Sequence, residues 1–135
     1  MATFALGSHW EGFYDAPLPY GRQKFTLMVE DVEEKDNTFK AIGSDKDGKF
    51  TATGSLINVK NDLEEDNAKE DDTPCCDIHF IKDYISEDGY KGIEYNGKLI
   101  GQNITGNYSF VWKKSFLSKT INGIFEMNLV RETFS

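Results

Sequence analysis

The chain has 135 residues, 39% hydrophobic and 13% aromatic, with ten Phe and six Tyr. That suffices for one domain, residues 1–135, burying about two thirds of its unfolded surface without metals or disulfides. The net charge of −8 and the want of a basic stripe, Lys113-Lys114 being too small to count, argue against a nucleic-acid partner. No run approaches the roughly 20 apolar residues that span a bilayer.

In chain order, the start, Met1-Ala2-Thr3-Phe4-Ala5-Leu6-Gly7, lacks a basic leader and does not read as a signal peptide, so the expected location is the cytoplasm. A first strand is predicted over residues 9–15, ended by Pro17 and Pro19, which cannot donate to a ladder. A second covers 25–29, and Asp36-Asn37 turns the chain into a third over 38–42. Asp47-Gly48 makes a hairpin into a fourth over 50–56, because Gly accepts the positive φ that such turns need. Residues 61–74 follow, where Asp62, Glu64, Glu65, Asp66, Glu70, Asp71 and Asp72 face the single base Lys69 and carry −6 of the chain's −8. With only Leu63 and Ala68 apolar, the segment has no stripe to bury and reads as a solvated acidic surface loop inserted between strands. A fifth strand is expected over 76–85, with Ile78, Phe80 and Tyr84 on one face. Glu87-Asp88-Gly89 turns into a sixth over 91–95, which Asn96-Gly97, the strongest hairpin signal in the chain, would close. Residues 98–100 and 104–110 read as a seventh strand bulged around Gly101, 114–120 as a connector, and 124–131 as an eighth.

Eight short alternating segments without a helix predict an all-β, eight-stranded, antiparallel up-and-down barrel, since closure removes exposed sheet edges. Gly7-Ser8-His9-Trp10 in the first strand and Leu129-Val130-Arg131 in the last resemble the calycin superfamily, which takes in the lipocalins, fatty-acid-binding proteins and avidins. Phe39-x-Ala41-x-Gly43, Thr53-Gly54 and Ile104-Thr105-Gly106-Asn107-Tyr108 resemble the avidin end of it. The resemblance implies that Trp10 and Arg131 close a barrel floor, and that the barrel has a cavity. The polar residues that hold biotin have no counterparts here, so biotin is not implied.

Alternation also nominates site residues. Lys82 falls on the otherwise apolar face of Cys76, Ile78, Phe80 and Tyr84 and so aims inward, either as a ligand anchor or snorkelling at a rim. Tyr14, Tyr95 and Tyr108 are likewise inward, either as pocket hydroxyls or as side chains that plug the barrel. Asp45-Lys46-Asp47-Gly48 imitates the start of a calcium loop, but position twelve from Asp45 is Leu56 and both flanks alternate as strands, so a turn is expected. His9 and His79 have no partner at metal-ligand spacing, and His79 shares an outer face with Asp77 and Asp83. Adjacent Cys75 and Cys76 read as two thiols in a reducing compartment. No nucleophile elbow or phosphate loop occurs, and no cofactor or metal is expected. The functional expectation is a non-enzymatic binding barrel for a small, largely apolar ligand fixed by Tyr14, Lys82, Tyr95 and Tyr108. The alternative is an interaction domain with a side-chain-filled barrel, whose 61–74 segment captures a basic protein partner. A cofactor-free isomerase or cyclase using Tyr and Lys as acid and base is the remaining reading.

Overall fold

The structure is a computed structural model and describes residues 4–17, 21–57, 76–87, 90–114 and 116–131. The acidic segment 61–74 and Cys75 lie outside the described residues. Eight strands, β1 (His9–Ala16), β2 (Gly21–Glu33), β3 (Thr38–Asp45), β4 (Gly48–Ile57), β5 (Cys76–Tyr84), β6 (Ile93–Ile100), β7 (Asn103–Lys114) and β8 (Leu117–Arg131), follow one another. Each pairs antiparallel with the next, and β8 returns to pair with β1, closing the barrel. No described helix is long and apolar enough to cross a membrane.

Strict alternation sets what points inward. Along β5, Cys76, Ile78, Phe80, Lys82 and Tyr84 are all buried while the residues between them are half-buried. The outer face carries polar pairs such as Lys98–Asp77 at 2.7 Å and His79 Nδ1 to Asn96 Oδ1 at 2.8 Å. The connections β1–β2, β3–β4, β5–β6 and β7–β8 gather at one end, the mouth, and His9 of β1 starts at the other, the floor. Ile57 and Cys76, the described residues on either side of the acidic segment, stand at the floor end.

The floor is closed by residues that precede β1. Gly7, at φ 85°, bends the chain so that its N–H reaches the Val29 carbonyl at 2.8 Å. Ser8 Oγ donates to the Ala5 carbonyl at 2.6 Å and accepts from Trp10 Nε1 at 3.0 Å, so this buried hydroxyl is fully used. Phe4 then covers Trp10 at 5.4 Å and Phe39 at 4.7 Å between ring centroids. Trp10 is buried, whereas Arg131 on the adjacent strand is exposed. A register shift after His9 brings Arg131 opposite His9, with Arg131 Nη2 3.2 Å from His9 Nε2.

Three expected boundaries are corrected. β6 runs straight through Asn96-Gly97, and the turn falls at Gly101, φ 62°. Residues 98–100 therefore belong to β6 rather than to the seventh strand. Gly97 serves close approach instead of a turn: it pairs with Gly106, and a Cβ on it would stand 2.5 Å from the Thr105 carbonyl oxygen. The supposed connector 114–120 is mostly ladder, with β8 starting at Leu117 and Phe110 opposite Ile121. Ser118, Lys119 and Thr120, all exposed, hide the alternation there.

Inward glycines thus let neighbouring strands approach where a Cβ would clash. Gly106→Val would drive a side chain into the Asn96 carbonyl and the Gly97 Cα, and is expected to cost about 1–3 kcal/mol. Thr105→Val, on the exposed outer face, should stay within about 0.5 kcal/mol of the parent. Urea denaturation of the two variants checks this.

Candidate functional site

The barrel is filled in its floor half and hollow in its mouth half. Below, Trp10, Phe39, Phe80, Phe125 and Met127 are buried against one another. Above them Tyr95 stacks on Phe80 with centroids 4.8 Å apart and meets Phe125 edge-on at 4.9 Å, making the base of a cavity. The cavity holds about 580 Å³ and opens to solvent at the mouth. Tyr14, Lys82, Tyr84, Tyr95 and Tyr108 form its deeper wall, and Tyr90, Phe110, Lys119 and Ile121 its outer wall.

An ion pair lies in that wall. Lys82 Nζ donates to Asp45 Oδ2 at 2.9 Å, and both side chains are almost wholly buried, 3% and 0% exposed. The aspartate arrives there because Phe39, Ala41, Gly43 and Asp45 alternate inward along β3, and the hairpin that follows uses its carboxylate twice. Oδ1 accepts the Asp47 N–H at 2.8 Å, fixing the turn, and Oδ2 also accepts from the Tyr84 hydroxyl at 2.6 Å. What imitates a calcium loop in sequence is a turn that folds a carboxylate into a barrel. Lys82 Nζ further sits 4.4 Å from the Phe50 ring centroid and 4.7 Å from those of Tyr14 and Tyr84, faces that attract a cation. It also lies 3.5 Å from Tyr95 Oη, which accepts from it. Burial pushes the Lys82 amine below its ordinary pKa, and Asp45 opposes that shift without cancelling it.

The hydroxyls stay protonated. Burial pushes Tyr14 up to about 12, helped by the Asp45 charge, while a hydrogen bond to Tyr84 acts the other way. Burial likewise raises Tyr84, Tyr95 and Tyr108, the first reinforced by its hydrogen bond to Asp45. Tyr84 and Tyr108 spend their protons on Asp45 and on the Asp15 carbonyl. Tyr95, 2% exposed, accepts from Lys82 and makes no donor bond to another described residue.

The four side chains singled out by alternation, Tyr14, Lys82, Tyr95 and Tyr108, all line this one cavity. In the sequence reading Asp45 figures only as part of a turn. Its signal was there, since extending the Phe39-Ala41-Gly43 alternation by one step reaches it. Lys119 and Ile121 were hidden by the misplaced start of β8. His9 and His79 lie outside the barrel wall and contribute nothing to the cavity.

Two outcomes follow. Lys82→Met strands a buried carboxylate and should cost about 3–5 kcal/mol, whereas adding Asp45→Asn should recover most of it; chemical denaturation of the single and double variants measures the coupling. A tyrosine whose proton is held more tightly in the folded chain contributes stability that is complete below the usual value of 10 and is lost as pH rises toward the folded value. Lys82, its proton held less tightly when folded, gives the opposite slope, a rise complete by 10.5. Urea midpoints should therefore fall steeply above about pH 10.5, and Tyr95→Phe should flatten that fall.

Comparison with protein-family models, with curated proteins and with solved structures gave no match.

Proposed function

We propose that this chain is a non-enzymatic binding barrel of the calycin kind, which takes a small, largely apolar, uncharged ligand through its mouth. The observation that carries the reading is the cavity itself. Its volume of about 580 Å³ falls within the roughly 300–1,000 Å³ of small-molecule sites, and its wall combines aromatic surface with a few convergent polar groups, as such sites do. A charged ligand is disfavoured, because Lys82 is already neutralised by Asp45 inside the wall; a carboxylate brought to Lys82 would also meet Asp45 at close range. Tyr95 supplies a directed donor at the base, suited to a ligand carbonyl or hydroxyl oxygen, with the Tyr108 ring 5.6 Å from its own and the Tyr14 ring 5.7 Å beyond that of Tyr108.

A panel of neutral aromatic and terpenoid alcohols, aldehydes and ketones tests this by thermal unfolding. A true ligand at 100 times its Kd should add about 2.7 kcal/mol of stability. Tyr95→Phe should weaken binding about tenfold through loss of one hydrogen bond. Ile121→Trp, which fills the outer cavity, should abolish binding while leaving the fold intact. Stabilisation that survives Ile121→Trp would place the ligand elsewhere and reject the reading.

A further inference from the structure

Of the three amines that line the cavity, Lys46, Lys82 and Lys119, Lys82 alone is buried. Resting on the binding reading above, we infer that Lys82 is a covalent attachment point for aldehydes, capturing a small aromatic or enal-type carbonyl as an imine. Three placements carry this. Lys82 lines a cavity of about 580 Å³, large enough for such a molecule. A carboxylate oxygen lies 2.9 Å from it, and a phenol oxygen lies 3.5 Å from it on Tyr95. Rings of Phe50, Tyr14 and Tyr84 surround it, which suits a flat conjugated partner.

The chemistry closes on these groups alone. The ammonium first passes one proton to Asp45 Oδ2, 2.9 Å away, and the neutral amine attacks the carbonyl carbon, forming the C–N bond as the carbonyl π pair moves to oxygen. Tyr95, which donates to no other described residue, gives its proton to that oxygen and recovers one from the nitrogen, leaving a neutral carbinolamine. The proton held on Asp45 returns to the hydroxyl, which leaves as water as the nitrogen lone pair forms the C=N bond, giving an iminium whose positive charge replaces that of the ammonium beside Asp45. Ammonium plus aldehyde thus becomes iminium plus water, with no oxidant or reductant. The pair Lys82–Asp45 remains one cation facing one anion before and after, so the buried charge balance is unchanged. Desolvation of the amine, which raises the fraction in the neutral nucleophilic form, favours Lys82 over the lysines exposed on the outer wall.

The test uses the intact chain with trans-cinnamaldehyde near pH 7, sodium cyanoborohydride as hydride donor to fix any iminium as a secondary amine, and peptide mass mapping. Lys82 should carry severalfold more label than any other lysine, Lys46 and Lys119 included, and an excess of cinnamyl alcohol, which cannot condense, should suppress that label. Tyr95→Phe should slow labelling yet leave it at Lys82. In parallel, thermal unfolding with cinnamyl alcohol reports reversible occupancy. Label spread over surface lysines with Lys82 unmodified, while cinnamyl alcohol still stabilises the protein, overturns the imine inference and leaves the binding reading standing. Failure of both compounds to stabilise the protein or to reach Lys82 overturns the two together.

Discussion

The structure turns on a charge placed where charge is costly. Lys82 projects from the mouth half of β5 into a space lined by aromatic rings, and it is tolerated there because Asp45 meets it at 2.9 Å. The partner is in turn committed on both oxygens, to Lys82 and Tyr84 through one and to the Asp47 N–H through the other. This small network ties the β3–β4 hairpin to β5, so the mouth cannot rearrange at that hairpin without exposing or orphaning an ion. Stability alone gives no reason for the arrangement, since a buried pair can often be replaced by apolar residues of the same volume at no loss. Its position at a cavity gives one.

The same barrel serves two purposes along its axis. Toward the floor, Phe4, Trp10, Phe39, Phe80 and Phe125 fill the lumen, and Ser8 satisfies the indole N–H so that Trp10 is buried at no polar cost. Inward glycines at Gly12, Gly43, Gly54 and Gly106 let neighbouring strands close in where a side chain would not fit. Toward the mouth the rings stand against the wall and leave the axis open. The stacked pair Phe80–Tyr95 is the boundary between the two halves. A packed plug below a hollow chamber holds the chamber walls in place.

Much of this was legible in the chain, and the exceptions have physical causes. Period-two alternation identified the inward faces of β1, β5, β6 and β7, and with them Tyr14, Lys82, Tyr95 and Tyr108, because a barrel wall buries one face of every strand. Turn chemistry was less dependable. Asn96-Gly97 looks like a hairpin but lies inside β6, since glycine is wanted both for positive φ and for close packing, and sequence does not distinguish the two uses. The outer half of β8 was missed because it projects toward the mouth, where inward and outward residues are both wet and alternation fades. Asp45 was missed for a different reason: its neighbours satisfied a familiar turn pattern, so the inward parity it shares with Phe39 and Ala41 went unused. The floor contact of Phe4 with Trp10 and Phe39 came from outside any strand, and no periodicity reports on it.

What the cavity can recognise follows from which of its groups can change state. Burial holds the tyrosines protonated far above neutrality, so their hydroxyls present the same donors and acceptors across the physiological range. Lys82 is different, because burial has brought its proton within easier reach while Asp45 holds a position to receive it. A ligand that expelled water from the mouth would deepen the desolvation of this pair and so act on its proton before acting on any other group in the wall. On the proposed binding reading, recognition by shape and hydrogen bonding would therefore fall to the aromatic surface and Tyr95, and the response to filling to the Lys82–Asp45 pair in the wall.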